Sequence, residues 1–320
     1  MTNRLARYIG DGHVEIVEEP MPVCPPGGLL VQAEACGLCS GELMSWYMDQ
    51  KLPHVLGHEV AGIVRESQDE RFPVGSRVFP HHHAPCLVCD LCRRGQFVHC
   101  AQWKRTKLRP GGMAEWFSFD AENLSDTHIT DDLRAIDAAL IEPFACVMKS
   151  VRVAQIQPED RIAVIGLGVM GLMHLAAVAA HQPIGYDFNE ARRTWAQSQG
   201  FRAATPEDAQ PAEVVFVCPG SQTAFDFALN MVQPGGTVVL FAPLGPGEHL
   251  AVPQSAYFKE IKLVPSYSAG PPDTAGAIAA IRNGELRAEK VISEFIPLAD
   301  LPLAYGEMKA GRILKPMVIF

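Results

Sequence analysis

Past residue 13 the chain runs in short stretches of alternating apolar and polar positions: HVEIVEEP, GLLVQAEACG, EVAGIVRES and GSRVFP, separated by proline and glycine. A period of two puts the apolar positions on one face of a strand, so the first part is predicted to be β-rich. Around residue 140 the texture changes. IAVIG, QPIGYD, EVVFVCPG and GTVVLFAP are short continuous apolar runs, and among them lie the helical stretches EARRTWAQSQG and SQTAFDFALNMV. Strands alternating with helices predict a parallel sheet covered by helices. After VPSYSAGPPD come a predicted helix, TAGAIAAIRNG, and two β-like pieces ending in KPMVIF. The last pieces match the first part in texture, which predicts an α/β chain with a parallel-sheet domain inserted into a β-rich one.

Composition narrows the choice of partner. A chain of 320 residues with 48% hydrophobic content is long for one domain and ample for two. The net charge of -9 comes from 36 acidic against 27 basic residues without a long run of either sign. The basic footprint that nucleic acid or an anionic membrane surface requires is missing, and a small molecule fits better. MTNRLARYIGDGHVEIVEEP lacks the apolar core of a signal peptide, and no stretch has the roughly 18 apolar residues of a membrane helix. The expected location is therefore cytoplasmic. Nine unevenly spaced cysteines argue against a disulfide framework and for metal thiolates in a reducing compartment.

Residues 162 to 187 hold a complete local motif. The strand IAVIG runs into Gly166-x-Gly168-x-x-Gly171, a helix follows, and a second strand closes on Asp187. The first glycine allows a tight turn, the second lets the backbone approach a pyrophosphate, and the third lets helix pack on strand. The helix start then faces the phosphates, with Val169 and Met170 among the contacts. A ligand-free tight turn is the alternative, but the strand, the helix and an acid about 20 residues on all agree with a dinucleotide. A carboxylate at Asp187 accepts hydrogen bonds from ribose hydroxyls and repels a 2'-phosphate, which favours NAD over NADP. Arg192 and Arg193 count against that preference unless they are exposed positions of the next helix, as their spacing suggests.

Cys86, Cys89, Cys92 and Cys100 follow C-x2-C-x2-C-x7-C in PCLVCDLCRRGQFVHC. The spacing brings four thiolates to the corners of a tetrahedron, and a zinc ion with four protein ligands has no vacancy for substrate. A structural zinc is expected; free buried thiols or an iron–sulfur cluster are the alternatives.

Ligand-type residues are also scattered elsewhere: Cys39 in CGLCSGEL, His58 and Glu59 in LGHEVAG, and Glu142 in LIEPFACV. Each alone reads equally as a buried thiol, a core histidine or a helix-start acid. In this order, with the thiol cluster, PGGMAEW, EPFACVMKSV, GLGVMG, PGGTVVLF and LKPMVIF, the whole chain resembles the zinc-dependent medium-chain alcohol dehydrogenase superfamily. The resemblance implies a GroES-like β-rich catalytic domain over 1–145 and 271–320, with a zinc lobe at about 80–105. It implies a Rossmann doubly wound coenzyme domain over 146–270, and an active site between the two. Cys39, His58 and Glu142 would be ligands of a catalytic zinc, with Glu59 a possible ligand and Glu42 hydrogen-bonded behind the histidine. Glutamate at 142 matches the sorbitol, polyol and threonine dehydrogenase branch, where the alcohol dehydrogenases proper have cysteine. Lys315 falls where relatives carry a basic residue that contacts the coenzyme pyrophosphate; a surface charge is the alternative. Two zinc ions per chain, NAD, and a homodimer or homotetramer are implied, with the exposed sheet edge expected near TVVLFAP.

The implied reaction is reversible hydride transfer between NAD and a secondary alcohol: a polyol, sugar derivative or hydroxy amino acid. Relatives place Ser or Thr two residues after the cysteine, and often His three further on, to carry the alcohol proton away; here those positions are Gly41 and Met44. Ser40, one residue displaced, is a candidate substitute, as are a water chain or the substrate's own hydroxyls. Trp46 and Tyr47 could wall the substrate pocket or simply pack. His81, His82 and His83 are not expected to share one ion, because neighbours in an extended segment point to opposite faces. A simple alcohol dehydrogenase or carbonyl reductase is the enzymatic alternative, and a zinc-stabilised NAD(H) sensor without turnover the non-catalytic one.

Overall fold

The computed structural model describes residues 2–320. They form two compact units, one built from the chain up to Ala145 together with Ala269–Phe320, the other from Cys146–Ser268.

The first unit opens with β1 (Thr2–Gly10), β2 (His13–Pro20), β3 (Leu29–Gly37), β4 (His54–Val55), β5 (Glu59–Ser67), β6 (Arg77–Pro80), β7 (Trp116–Phe119) and β8 (Thr127–Ile129). A three-stranded antiparallel sheet has the order β2-β1-β4. β1 escaped the sequence pattern because Arg4 and Arg7 interrupt its apolar positions. Those arginines pair with Glu115 and Glu19, while Leu5 and Tyr8 are fully buried. The second sheet runs β3-β5-β6-β8, with β7 on the first half of β3. Tyr8, Val31, Val60, Val78, Phe117 and Phe119 share one core between the sheets.

The second unit contains β9 (Ile162–Ile165), β10 (Ile184–Tyr186), β11 (Ala203–Ala204), β12 (Ala212–Val217), β13 (Val232–Leu240) and β14 (Lys262–Pro265). Their order is β11-β10-β9-β12-β13-β14, and every pairing is parallel. All four residues of β9 are buried, as a central strand covered on both faces requires. TVVLFAP, expected at the edge, begins in β13 and lies inside the sheet; β14 is the edge, because it takes the outer position beside β13.

The chain then returns to the first unit. β15 (Glu294–Pro297) pairs with β16 (Pro316–Ile319), and β16 pairs with the second half of β3, Met317 opposite Gly37. Between β15 and β16 lies the helix Leu301–Lys309, which the sequence pattern did not single out. Its signal was present: Leu301, Ala304, Tyr305 and Met308 are buried at helical spacing, although Pro302 and Gly306 obscure the run.

Candidate functional site

The glycine motif sits where the pattern put it. β9 ends at Ile165, and the helix Val169–Ala177 begins directly after Gly168. A Cβ at Gly171 would stand 1.8 Å from the Gly166 carbonyl oxygen, so only glycine lets this helix lie against the turn. A Cβ at Gly168 would meet nothing within 4 Å, which leaves its backbone open to a ligand. Asp187 follows β10, and its carboxylate accepts the Leu167 N–H and the Asn189 N–H, both at 2.8 Å. Both arginines lie on the next helix, Glu190–Ser198, with Arg192 exposed as expected and Arg193 half-buried, yet both reach toward Asp187. Arg192 Nη1 lies 3.7 Å from the Asp187 carboxylate, and Arg193 donates to the carbonyls of Asp187 and Phe188. These residues fit a dinucleotide: an open glycine turn at a helix start and a buried carboxylate at the end of the second strand.

The four-thiol lobe also fits the zinc expected of it. Cys86, Cys89, Cys92 and Cys100 bring their sulfurs within 4.8 Å of one another, and all are free thiols. Cys89 and Cys92 sulfurs are 3.5 Å apart, Cys86 and Cys92 4.0 Å. Zinc–sulfur bonds of about 2.3 Å give a tetrahedron with edges of about 3.8 Å, between those two spacings. The lobe has little else to hold it. Its core is Cys92, Val98, Cys100 and Trp103, and its helices, Asp90–Arg93 and Ala101–Arg105, are single turns.

Strand register assembles the other ligands. β3 and β5 are antiparallel with Gly37 opposite Glu59, so the residues just past the end of β3 meet those just before β5. Cys39 and His58 occupy those places. The Cys39 sulfur, a His58 nitrogen and a Glu59 oxygen lie within 4.8 Å of one another, a sulfur, nitrogen and oxygen donor set suited to zinc. Glu42 sits behind the histidine as expected: its Oε1 accepts the Gly57 N–H at 2.7 Å and lies 3.4 Å from His58 Nδ1. With Nδ1 engaged there, Nε2 of His58 would be the nitrogen left to hold a metal.

Lys315, immediately before β16, reaches the same place from the other side of β3. It is 2% exposed; its ammonium lies 2.6 Å from Glu59 Oε2 and donates to the Leu38 carbonyl at 2.8 Å. Burial opposes its charge, but Glu59 raises its pKa overall. The surface-charge alternative is therefore excluded. Gly37 leaves room for this pair, since a Cβ there would stand 2.3 Å from Glu59 Oε2.

Glu142 lies on the first turn of the helix Ile141–Ala154 and is 5% exposed. It groups with His81 and His82 rather than with the Cys39 set, their ligand atoms again within 4.8 Å. Burial pushes its carboxyl above the usual carboxylate range. The histidine tract behaves differently from a strand because it lies beyond the end of β6, where alternation no longer applies. Two of its rings converge on Glu142, while His83 turns to the lobe, its Nδ1 donating to the Thr106 carbonyl at 2.9 Å and its ring 4.2 Å from that of Trp103. The sequence offered no signal for that convergence. Ser40 is exposed, and Trp46 and Tyr47 are 39% and 41% exposed with their rings 5.8 Å apart.

Comparison with known proteins bears on the family and the fold. The family model described as alcohol dehydrogenase GroES-like domain matches residues 25–128, and that described as zinc-binding dehydrogenase matches 166–283. D-altritol 5-dehydrogenase of Agrobacterium fabrum is 30% identical, covering 92% of this chain and 93% of its own. Erythritol/L-threitol dehydrogenase of Mycolicibacterium smegmatis is 26% identical over 95% and 93%. Among solved structures, acetophenone reductase from Geotrichum candidum in complex with NAD superposes with a TM-score of 0.83 at 24% identity, covering 100% of this chain and 97% of that one.

Proposed function

The chain belongs to the zinc-dependent medium-chain alcohol dehydrogenase superfamily, and from that premise we propose an NAD-dependent polyol dehydrogenase with one catalytic and one structural zinc ion per chain. The observation that carries this is the strand register that brings Cys39 and His58 to one point beside Glu59. Cys39 and His58 would hold the catalytic ion with Glu142 or Glu59 as third ligand, and Cys86, Cys89, Cys92 and Cys100 the structural one. When bound, zinc supplies Lewis acidity that acidifies a hydroxyl or polarises a carbonyl, and the nicotinamide supplies the hydride acceptor. The chain's own residues do the rest. Glu42 fixes the His58 ring, Lys315 restrains Glu59, and the buried surroundings of Glu142 and His81 keep bulk water from the reacting oxygen. Gly166, Gly168, Val169, Met170 and Gly171 would bind the pyrophosphate, and Asp187 the ribose hydroxyls. The carboxylate at 187 supports NAD over NADP, with Arg192 beside it as the feature that weakens the preference. Lys315 remains a candidate for the pyrophosphate on the resemblance alone.

The substrate class is a secondary alcohol bearing further hydroxyls, as the names of the altritol and erythritol/threitol relatives suggest. A homodimer or homotetramer is the expected assembly, supported by the edge strand β14 and the exposed Tyr257, Phe258 and Tyr267 around it. A cytoplasmic location is proposed from the composition; among the described residues no helix is long and apolar enough to cross a membrane.

Replacing Cys39 by Ala tests the assignment. Elemental analysis should fall from two zinc ions per chain to one, alcohol-dependent NADH production should disappear, and NADH should still bind. Undiminished turnover would refute the catalytic site, and a single ion in the wild type would favour a sensor instead.

A further inference from the structure

His81 is fully buried, and its orientation is fixed from behind. Its Nδ1 lies 2.7 Å from Asp126 Oδ2, and its backbone N–H donates to the Asp126 carbonyl at 3.0 Å. Asp126 is itself held by Thr274 Oγ1 and His128 Nε2, both at 3.1 Å. A carboxylate accepts only, so in the neutral ring the proton sits on Nδ1 and Nε2 is left as a bare acceptor. That Nε2 is buried with no hydrogen-bond partner. His82 repeats the situation: its Nδ1 is buried without a hydrogen bond, 4.0 Å from Glu142 Oε1. The His82 ring centroid is 4.7 Å from that of His58 and 5.2 Å from that of His81. Native structures rarely bury two unsatisfied ring nitrogens side by side, and a site that does is one that a polar ligand completes.

Resting on the dehydrogenase reading above, we infer that His81 Nε2 and His82 Nδ1 bind a second hydroxyl of the substrate, on the carbon next to the one oxidised. The selected class is then vicinal diols and longer polyols rather than monohydric alcohols. Position supports the adjacent carbon: the His82 ring lies 4.7 Å from that of His58 at a 43° tilt, so a group it binds sits beside the reacting centre, within the reach of the next carbon along a short chain. Chemistry supports a hydroxyl, which donates to the acceptor His81 Nε2 and accepts from or donates to His82 according to its tautomer. A monohydric alcohol would leave both nitrogens buried and unpaired, which is how a site built for a hydroxyl rejects an analogue lacking it.

The test uses the zinc-loaded full-length enzyme with butane-2,3-diol and butan-2-ol, which differ only in the adjacent hydroxyl. The ratio of kcat/KM for diol over mono-alcohol should be high in the wild type and fall about 100-fold in His82→Phe. It should fall similarly in His81→Asn, whose amide keeps a donor toward Asp126 while deleting Nε2. Independently of turnover, calorimetry on the wild-type NADH complex should show tighter binding of the diol, and both variants should retain the wild-type zinc content. Equal diol and mono-alcohol binding, an unchanged ratio in the variants, or loss of a metal ion from them would overturn the inference while leaving the dehydrogenase standing. Turnover of neither alcohol nor of any polyol by the wild type would instead bring down the reading beneath it.

Discussion

At the residue scale, the Lys315–Glu59 pair shows how one small side chain decides the chemistry of its neighbours. Both partners are almost fully buried, and the absence of a Cβ at Gly37 gives them the space they occupy. Removing one partner leaves the other as an uncompensated charge. Lys315→Met should therefore cost about 3–5 kcal/mol in urea denaturation, and adding Glu59→Gln should recover a large part of it. A loss of less than about 1 kcal/mol for the single change would mean that the pair does not hold this part of the unit together. Neither residue could be matched to the other from the sequence, since 256 positions apart in the chain they carry no mutual periodicity.

At the element scale, the proposed structural zinc would order the short pieces that surround it. The lobe's helices have too few residues to persist on propensity, and its four-residue core is too small to replace the metal. Chelation should therefore raise hydrogen exchange across residues 86–105 while amides of β9, β12 and β13 stay protected. Protection of the lobe after complete zinc removal would show that its packing suffices. The thiol spacing was legible because C-x2-C-x2-C is local; the turn of His83 onto Trp103 that closes the lobe was not. β1 and the helix Leu301–Lys309 were missed for the opposite reason, since charges, proline and glycine interrupt patterns that tertiary pairing completes.

For the whole molecule, the response to acid follows from a histidine outside any proposed site. His174 is fully buried in the Cys146–Ser268 unit, its nitrogens within 2.6 Å of Ser150 Oγ and the Met170 carbonyl. Burial pushes its pKa down from 6.5 to about 4. The fold thus prefers the neutral ring; the stability this represents is complete above pH 6.5 and is lost as pH falls toward 4, because the unfolded chain takes up the proton first. Between pH 7 and 5 the wild type should lose about 2 kcal/mol more in urea denaturation of this unit than His174→Gln does. Parallel pH profiles for the two proteins would contradict that account.

The sequence by itself determined the α/β class, the parallel sheet with its glycine turn, the thiol lobe and the family, because these are written in local spacing and in the order of motifs. It also named Cys39, His58, Glu59 and Glu142 as ligand types. Only the tertiary structure decided how they group: register between β3 and β5 sets Cys39 and His58 beside Glu59, whereas Glu142 comes to His81 and His82. It alone decided that Lys315 is buried and that two imidazole nitrogens are left unpaired. The physical reason is that pairing across strands and packing between distant segments join residues by distance in space, on which spacing along the chain places no constraint.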